Sequence, residues 1–194
     1  MTRPDLPPLY ILRHGETEWN LADRMQGWHD SPLTATGRAQ AAAQGRLLRD
    51  RLPDGCTIHC SPSGRAVETL KIALGALAGE ATFDDRLREV NVGEWVGRTP
   101  TDIAAEHDFV DPETDRHMWK FYAPGGETLA EMTERCRAVL MELAGPCVLV
   151  THGVTSRLLR CLALGMPPAA LGSVPGGQGV VHLIENGSAK ILHE

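Results

Sequence analysis

The sequence predicts a three-layer αβα sandwich whose central sheet is mostly parallel with an antiparallel edge strand. Three observations carry that expectation. Short apolar runs alternate with helix-like stretches, which implies βαβ units. The first run, Leu9 to Leu12, is apolar on both faces, as a buried parallel strand covered by helices on both sides should be. Finally, Asn186-Gly187 stands between the last two runs, a strong hairpin signal that adds the antiparallel edge.

Leu9-Tyr10-Ile11-Leu12 is the first strand. After a long loop, Thr34 can cap a helix running to about Arg51, rich in Ala, Leu, Gln and Arg, which Pro53 and Gly55 end. Thr57 to Cys60 is the second strand. Ser63, within Ser61-Pro62-Ser63-Gly64-Arg65, is the expected N-cap of a helix reaching about Ala73. Residues 84 to 126 are the least regular part, with Thr99-Pro100 opening one short helix there. Thr128-Leu129-Ala130-Glu131 is a capping box for a helix to about Leu143. Cys147-Val148-Leu149-Val150 is the third strand and runs into Thr151-His152-Gly153. The next helix stops at Gly165 and Pro167, before Val180 to Ile184 and Ile191-Leu192 close the chain. No repeat, low-complexity run or linker divides residues 1–194, which read as a single domain.

Composition narrows the function. The 194 residues are 42% hydrophobic and 23% charged, the balance of an ordinary globule. A net charge of -6 disfavours a surface that coats nucleic acid, which needs clustered Lys and Arg. It leaves room for a small cationic pocket. No apolar run reaches the roughly 18 residues of a membrane span, and the N-terminus lacks the apolar region of a secretory signal. The five cysteines form no CxxC pair and read as buried reduced thiols. The location expected is cytoplasmic.

The chemistry gathers after the strands. Arg13-His14-Gly15 follows the first, Ser61 to Arg65 the second, and Thr151-His152-Gly153 the third. Ligands of open α/β sheets bind beyond the carboxyl ends of strands, so two His and two Arg distant in sequence should meet there. Two guanidiniums can grip a phosphate dianion through paired hydrogen bonds. A neutral imidazole whose second nitrogen is held by a backbone carbonyl is a competent nucleophile toward phosphorus. Gly15 is expected to let the backbone approach the substrate, and a protonated His152 to donate to the same oxygens. An acid for the leaving alkoxide is also required, and spacing alone does not select it among 25 carboxylates.

The segment Leu12-Arg13-His14-Gly15-Glu16-Thr17-Glu18-Trp19-Asn20 resembles the signature of the histidine phosphatase superfamily, the phosphoglycerate mutase-like proteins. The resemblance continues through Arg24-Met25-Gln26-Gly27-Trp28, Asp30-Ser31-Pro32-Leu33-Thr34, Gly37 and Gln40. It returns at Ser61 to Ala66 with Thr69, at Leu87-Arg88-Glu89 with Gly93, Trp95 and Gly97, at Pro124 to Thr128, and at His152-Gly153. The blocks keep the family's order from about residue 9 to residue 160. The resemblance implies that His14 becomes phosphorylated, that Arg13, Arg65 and His152 complete the phosphate pocket, and that Glu89 is the proton donor. It also implies that Thr17, Asn20, Gln26 and Gly27 contact phosphate or substrate. Glu89 must then be protonated at transfer, so its pKa should be raised by burial or by the arriving phosphate. No metal or other cofactor is required, and the partner is a small phosphorylated metabolite. By analogy a homodimer is expected, although no exposed apolar stripe can be assigned to it.

Three functions fit these residues. A phosphomonoester hydrolase is favoured. A cofactor-dependent phosphoglycerate mutase shares the pocket, but such mutases usually have Gln-Ser where this chain has Glu16-Thr17, and they carry an Arg-Arg pair that is absent here. A non-catalytic phosphate-binding module would have lost the nucleophile or an arginine. One departure from the family pattern is Val96, where many members have Glu between Trp95 and Gly97. The remaining histidines read as structural, Trp19, Trp28 and Trp95 as packing residues, and Gly176-Gly177-Gln178-Gly179 as a loop unsuited to a dinucleotide. Arg98, Arg116, His117 and Lys120 read as mostly solvated, with one or two facing the substrate entrance.

Overall fold

A computed structural model describes residues 6–111, 113–115 and 117–194. Its elements are β1 (Leu9–Arg13), α1 (Glu18–Leu21), α2 (Ala35–Leu48), β2 (Thr57–Cys60), α3 (Gly64–Leu74), β3 (Thr82–Phe83), α4 (Pro100–Glu106), α5 (Leu129–Glu142), β4 (Cys147–Thr151), α6 (Gly153–Ala163), β5 (Val181–Glu185) and β6 (Ser188–Leu192). Short 3-10 turns, among them Asp85–Leu87 and Met118–Tyr122, fill the irregular middle of the chain.

The six strands form one sheet in the order β3-β2-β4-β1-β5-β6. β1, β2, β3 and β4 are parallel, while β5 runs antiparallel to β1 and to β6. The antiparallel part is therefore a two-stranded hairpin with β5 inside the sheet, and the edge strand is β6. Asn186 and Gly187 turn that hairpin with φ of 50° and 69°, the left-handed pair of a type I′ turn.

Alternation along the strands makes the three layers. Leu9 and Ile11 face a cluster with Leu149, Met132 and Leu158, under α5 and α6. Tyr10 and Leu12 face the other cluster with Val148, Val150, Leu48 and Leu70, under α2 and α3. Each such buried aliphatic side chain contributes on the order of 1.5–3 kcal/mol.

Register decides where the chemistry goes. Arg13 pairs with Thr151 across β1 and β4, and Cys60 pairs with Val150 across β2 and β4. The three strands thus end level, and the residues that follow them emerge side by side at one edge of the sheet.

Helix starts follow the sequence with one exception. Thr34 caps α2 by accepting from Gly37 N–H at 3.0 Å, and Thr128 and Glu131 form the capping box of α5. Ser63 occupies the cap position of α3 but its hydroxyl makes no capping bond. Asp30, from the distant loop, accepts instead from Arg65 N–H at 3.1 Å. Helix α2 ends at Leu48, one turn earlier than expected. Trp95 is core, packed against Trp119 with ring centres 5.6 Å apart. Cys60, Cys136, Cys147 and Cys161 are buried free thiols and Cys56 is partly buried. Among the described residues no helix is long and apolar enough to cross a membrane.

Candidate active site

β1 delivers His14 to the level edge with its backbone N–H on Thr151 O, 2.9 Å away. The imidazole is buried, yet it forms part of the wall of a cavity of about 350 Å³. Its Nδ1 lies 2.7 Å from Gly15 O, a carbonyl that can only accept. Its Nε2 receives the Arg65 Nε–H at 3.3 Å, a group that can only donate. The two partners select one tautomer: the proton sits on Nδ1 and the lone pair on Nε2. Burial, then the charges of Arg65 and Arg13, hold the His14 pKa well below its ordinary value, against the opposing bond to Gly15. His14 is therefore neutral at neutral pH.

Gly15 does not do what was expected of it. A Cβ there would lie 2.2 Å from Gly37 O, so the room it leaves is filled by the first turn of α2 and not by substrate. Gly153, at the start of α6, is the glycine that faces the chemistry: a Cβ there would meet the Arg13 guanidinium at 3.4 Å and Glu89 Oε2 at 3.6 Å.

Arg65 is almost completely buried and is gripped by protein on every side but one. Beyond its bond to His14, it donates through Nη1 to His29 O and Asp30 Oδ1, and through Nη2 to Gly27 O at 2.8 Å. One Nη2 hydrogen remains for a ligand. Arg13 has a buried Nε with no partner among the described residues, and it too lines the cavity.

His152 stands behind this wall. It is fully buried and not part of the lining, its Nε2 is 2.8 Å from Ser61 Oγ, and its ring crosses that of His14 edge-on at 5.1 Å. Burial and the charge of Arg65 push its pKa well down, so the protein's own charges hold it neutral, in contrast to the protonated donor expected from sequence. Its buried Nδ1 has no partner among the described residues.

Glu89 lines the cavity and points at the first turn of α6. Oε2 accepts from Val154 N–H at 3.1 Å, and Oε1 from Val90 N–H at 3.0 Å and from Thr155 N–H at 3.2 Å. Burial raises its pKa, but the bonds from Val154 and Val90 and the charges of Lys120 and Arg65 outweigh it, and the net direction is down. The expected upward shift by burial is thus overturned: backbone donors at a helix N-terminus favour the anion more than desolvation penalises it.

The expected substrate contacts divide. Asn20, Gln26 and Gly27 line the cavity. Asn20 Oδ1 is engaged by Thr17 N–H and Gln178 Nε2, which leaves its NH2 group as the donor. Gln26 Oε1 is buried without a partner among the described residues. Thr17 is fully buried and outside the lining; its hydroxyl caps α1 and accepts from Gln26 Nε2 at 2.8 Å. It supports Gln26 and Asn20 from behind.

Of the four residues expected to be mostly solvated with one or two at the substrate entrance, Lys120 and His117 line the cavity. Arg157, Asp23, Arg24 and Gln178 line it as well, without a site role having been read for them from sequence. Burial and the charges of Arg13 and Arg157 lower the Lys120 pKa, opposed by Glu89 and Asp23. Burial and the charge of Lys120 push His117 down to about 3. Gln178, from the glycine-rich loop, donates to His14 O at 3.1 Å. Arg98 faces away, paired with Glu106 at 2.7 Å, and Arg116 lies outside the described residues. Val96 packs against the apolar core and contributes nothing to the cavity. Among the described residues no group of three His, Cys, Asp or Glu forms a metal-ligand set.

The sequence matches the histidine phosphatase superfamily (branch 1) over residues 9–191. The "Probable phosphoglycerate mutase GpmB" of Salmonella paratyphi B is 36% identical over 165 residues, 82% of this chain and 75% of that protein. Among solved structures, the alpha-ribazole phosphatase from Shigella flexneri superposes with a TM-score of 0.80 at 25% identity, covering 96% of this chain and 95% of the other. A mycobacterial glucosyl-3-phosphoglycerate phosphatase superposes at 0.78 with 31% identity and 92% of each chain covered.

Proposed function

The chain belongs to the histidine phosphatase superfamily, and we propose that within it this protein is a phosphomonoester hydrolase that forms a phosphohistidine at His14 Nε2. The observation that carries the reading is the fixed tautomer of His14: Nδ1–H on Gly15 O, an Nε2 lone pair at the cavity, and Arg65 beside it.

The reaction in this reading has two steps. In the first, Nε2 forms a bond to phosphorus as the P–O bond to the ester breaks, and Glu89 gives its proton to the departing alkoxide. The Arg65 Nε–H exchanges its bond to Nε2 for one to a phosphoryl oxygen, and Arg13 and the last Nη2 hydrogen of Arg65 hold the others. In the second, water attacks phosphorus, Glu89 takes its proton, the N–P bond breaks, and inorganic phosphate leaves. Glu89 starts below the ordinary carboxylate range, so the arriving phosphate, a like charge beside it, supplies the upward shift that protonates it. The substrate is a small phosphorylated metabolite, and Lys120, His117 and Arg157 are the residues placed to read the part of it beyond the phosphate.

Likeness to a mutase supports a second reading, transfer to a second hydroxyl instead of water. The experiment that tests the proposal measures phosphate release from an aryl phosphate and from 3-phosphoglycerate in excess chelator, with His14→Ala alongside. Release that survives chelation and is lost in the variant supports hydrolysis. Isomerisation of 3-phosphoglycerate without phosphate release overturns it in favour of the mutase.

A further inference from the structure

The segment that carries Glu89 belongs to no strand or α-helix, yet every carbonyl from Arg86 to Glu89 is held by a side chain. Thr151 Oγ1 donates to Leu87 O at 2.7 Å, Thr155 Oγ1 to Arg88 O at 2.7 Å, and Trp28 Nε1 to Glu89 O at 2.8 Å. The other contacts come from one residue. Arg135, on α5, donates through Nη1 to Arg86 O and Arg88 O and through Nη2 to Glu89 O at 3.3 Å. Its remaining hydrogens go to Glu127, Nε to Oε1 and Nη2 to Oε2, in the parallel two-bond arrangement that fixes a guanidinium in plane. Both side chains are largely buried, at 14% and 11% exposure, so this pair is poorly screened. Glu127 also receives Asn91 N–H through Oε2 at 3.3 Å, just beyond the same segment.

Arg135 therefore has all five of its donors committed to one carboxylate and three carbonyls of the loop. None of them reaches the cavity, and Arg135 is not part of its lining. We propose that Arg135, locked by Glu127, is a positioning residue that sets the height of Glu89 against the first turn of α6, and hence the alignment of the proton donor with the leaving oxygen. The proposal rests on Glu89 being that donor. Proton transfer needs a heavy-atom approach of roughly 2.6–3.2 Å, so a loop displaced by about 1 Å loses the acid while leaving His14, Arg13 and Arg65 where they are.

Leaving-group dependence tests this. A dinitrophenolate leaves without help, whereas a phenolate gains from protonation, so their ratio isolates the acid. The quantity compared is kcat/KM, which covers the steps through alcohol departure and excludes the later hydrolysis. Because both esters are measured on the same preparation, loss of folded protein cancels in the ratio. Glu89→Gln should lower kcat/KM for phenyl phosphate by about 100-fold or more and for dinitrophenyl phosphate only slightly. Arg135→Met should split the two esters in the same direction, by roughly ten- to a hundredfold. Glu127→Gln, which leaves the carbonyl bonds in place, should split them less, and it carries the test if Arg135→Met does not fold. Equal losses on both esters in the Arg135 and Glu127 variants, with the split intact in Glu89→Gln, would overturn the positioning role alone. No split in Glu89→Gln would overturn the proton-donor reading and this inference with it.

Discussion

The two walls of the cavity are built on different principles. The inner wall comes from the ends of parallel strands and from the irregular segment that carries Glu89, and its groups are pinned: His14 by Gly15 and Arg65, Arg65 by three further acceptors, Glu89 by three backbone donors. The outer wall comes from the irregular 3-10 turn at 118–122, the α6 residue Arg157 and the glycine-rich loop at 176–179. Pinned groups suit chemistry whose transition state never changes; groups on loops suit recognition, which differs from one substrate to the next. The inner wall should therefore govern kcat and the outer wall KM.

The largest expected effect tests the inner wall. Arg65→Ala removes a charge and four bonds at once, and kcat should fall by about 10²–10³-fold, or roughly 3–4 kcal/mol of transition-state stabilisation. A change confined to KM would place Arg65 with the outer wall and break the distinction. The next effect is on stability. His14 and His152 are held neutral when folded, with pKa values well below ordinary, but protonate near pH 6.5 when unfolded. Between those limits the unfolded chain binds more protons, so stability is full above about pH 6.5 and falls as the pH drops. Each contributes about 1.4 kcal/mol per pH unit in that range. Urea midpoints from pH 7 to pH 5 should fall accordingly, and less steeply in His152→Asn; equal slopes would show that the inner wall does not store this strain. The smallest effect belongs to the outer wall: Lys120→Ala should raise KM for the metabolite about tenfold, some 1.4 kcal/mol, with kcat nearly unchanged. A loss in kcat instead would mean that Lys120 acts on the reacting phosphate.

The same division governs how much could be read from sequence. The inner wall was legible because each strand is a short run with buried apolar residues, and polar residues follow it immediately: Arg13-His14, Ser61 to Arg65, Thr151-His152. Parallel pairing then forces them together without knowledge of any loop. Lys120 was one of four candidates for the entrance with nothing to single it out, and Arg157 had no marker, since nothing local tells which irregular segment folds over a sheet edge or which face of α6 meets it. The cap of α3 failed for a related reason. Ser63 has the right type and place, but Asp30, 35 residues from Arg65 in sequence, takes the bond. Glu89 was found by resemblance, while the direction of its shift was not legible, because burial and three backbone donors oppose each other and only distances decide between them.

One feature at the back of the site reaches further than its size suggests. Gly15 and Gly37 meet backbone to backbone, with Gly37 O 2.2 Å from where a methyl on Gly15 would sit and Glu16 O 2.0 Å from where one on Gly37 would sit. Neither residue lines the cavity. In a library of all single substitutions selected for turnover, both positions should nonetheless be as depleted as His14 itself, and a scaffold that borrows the His14 loop would have to borrow the start of α2 along with it.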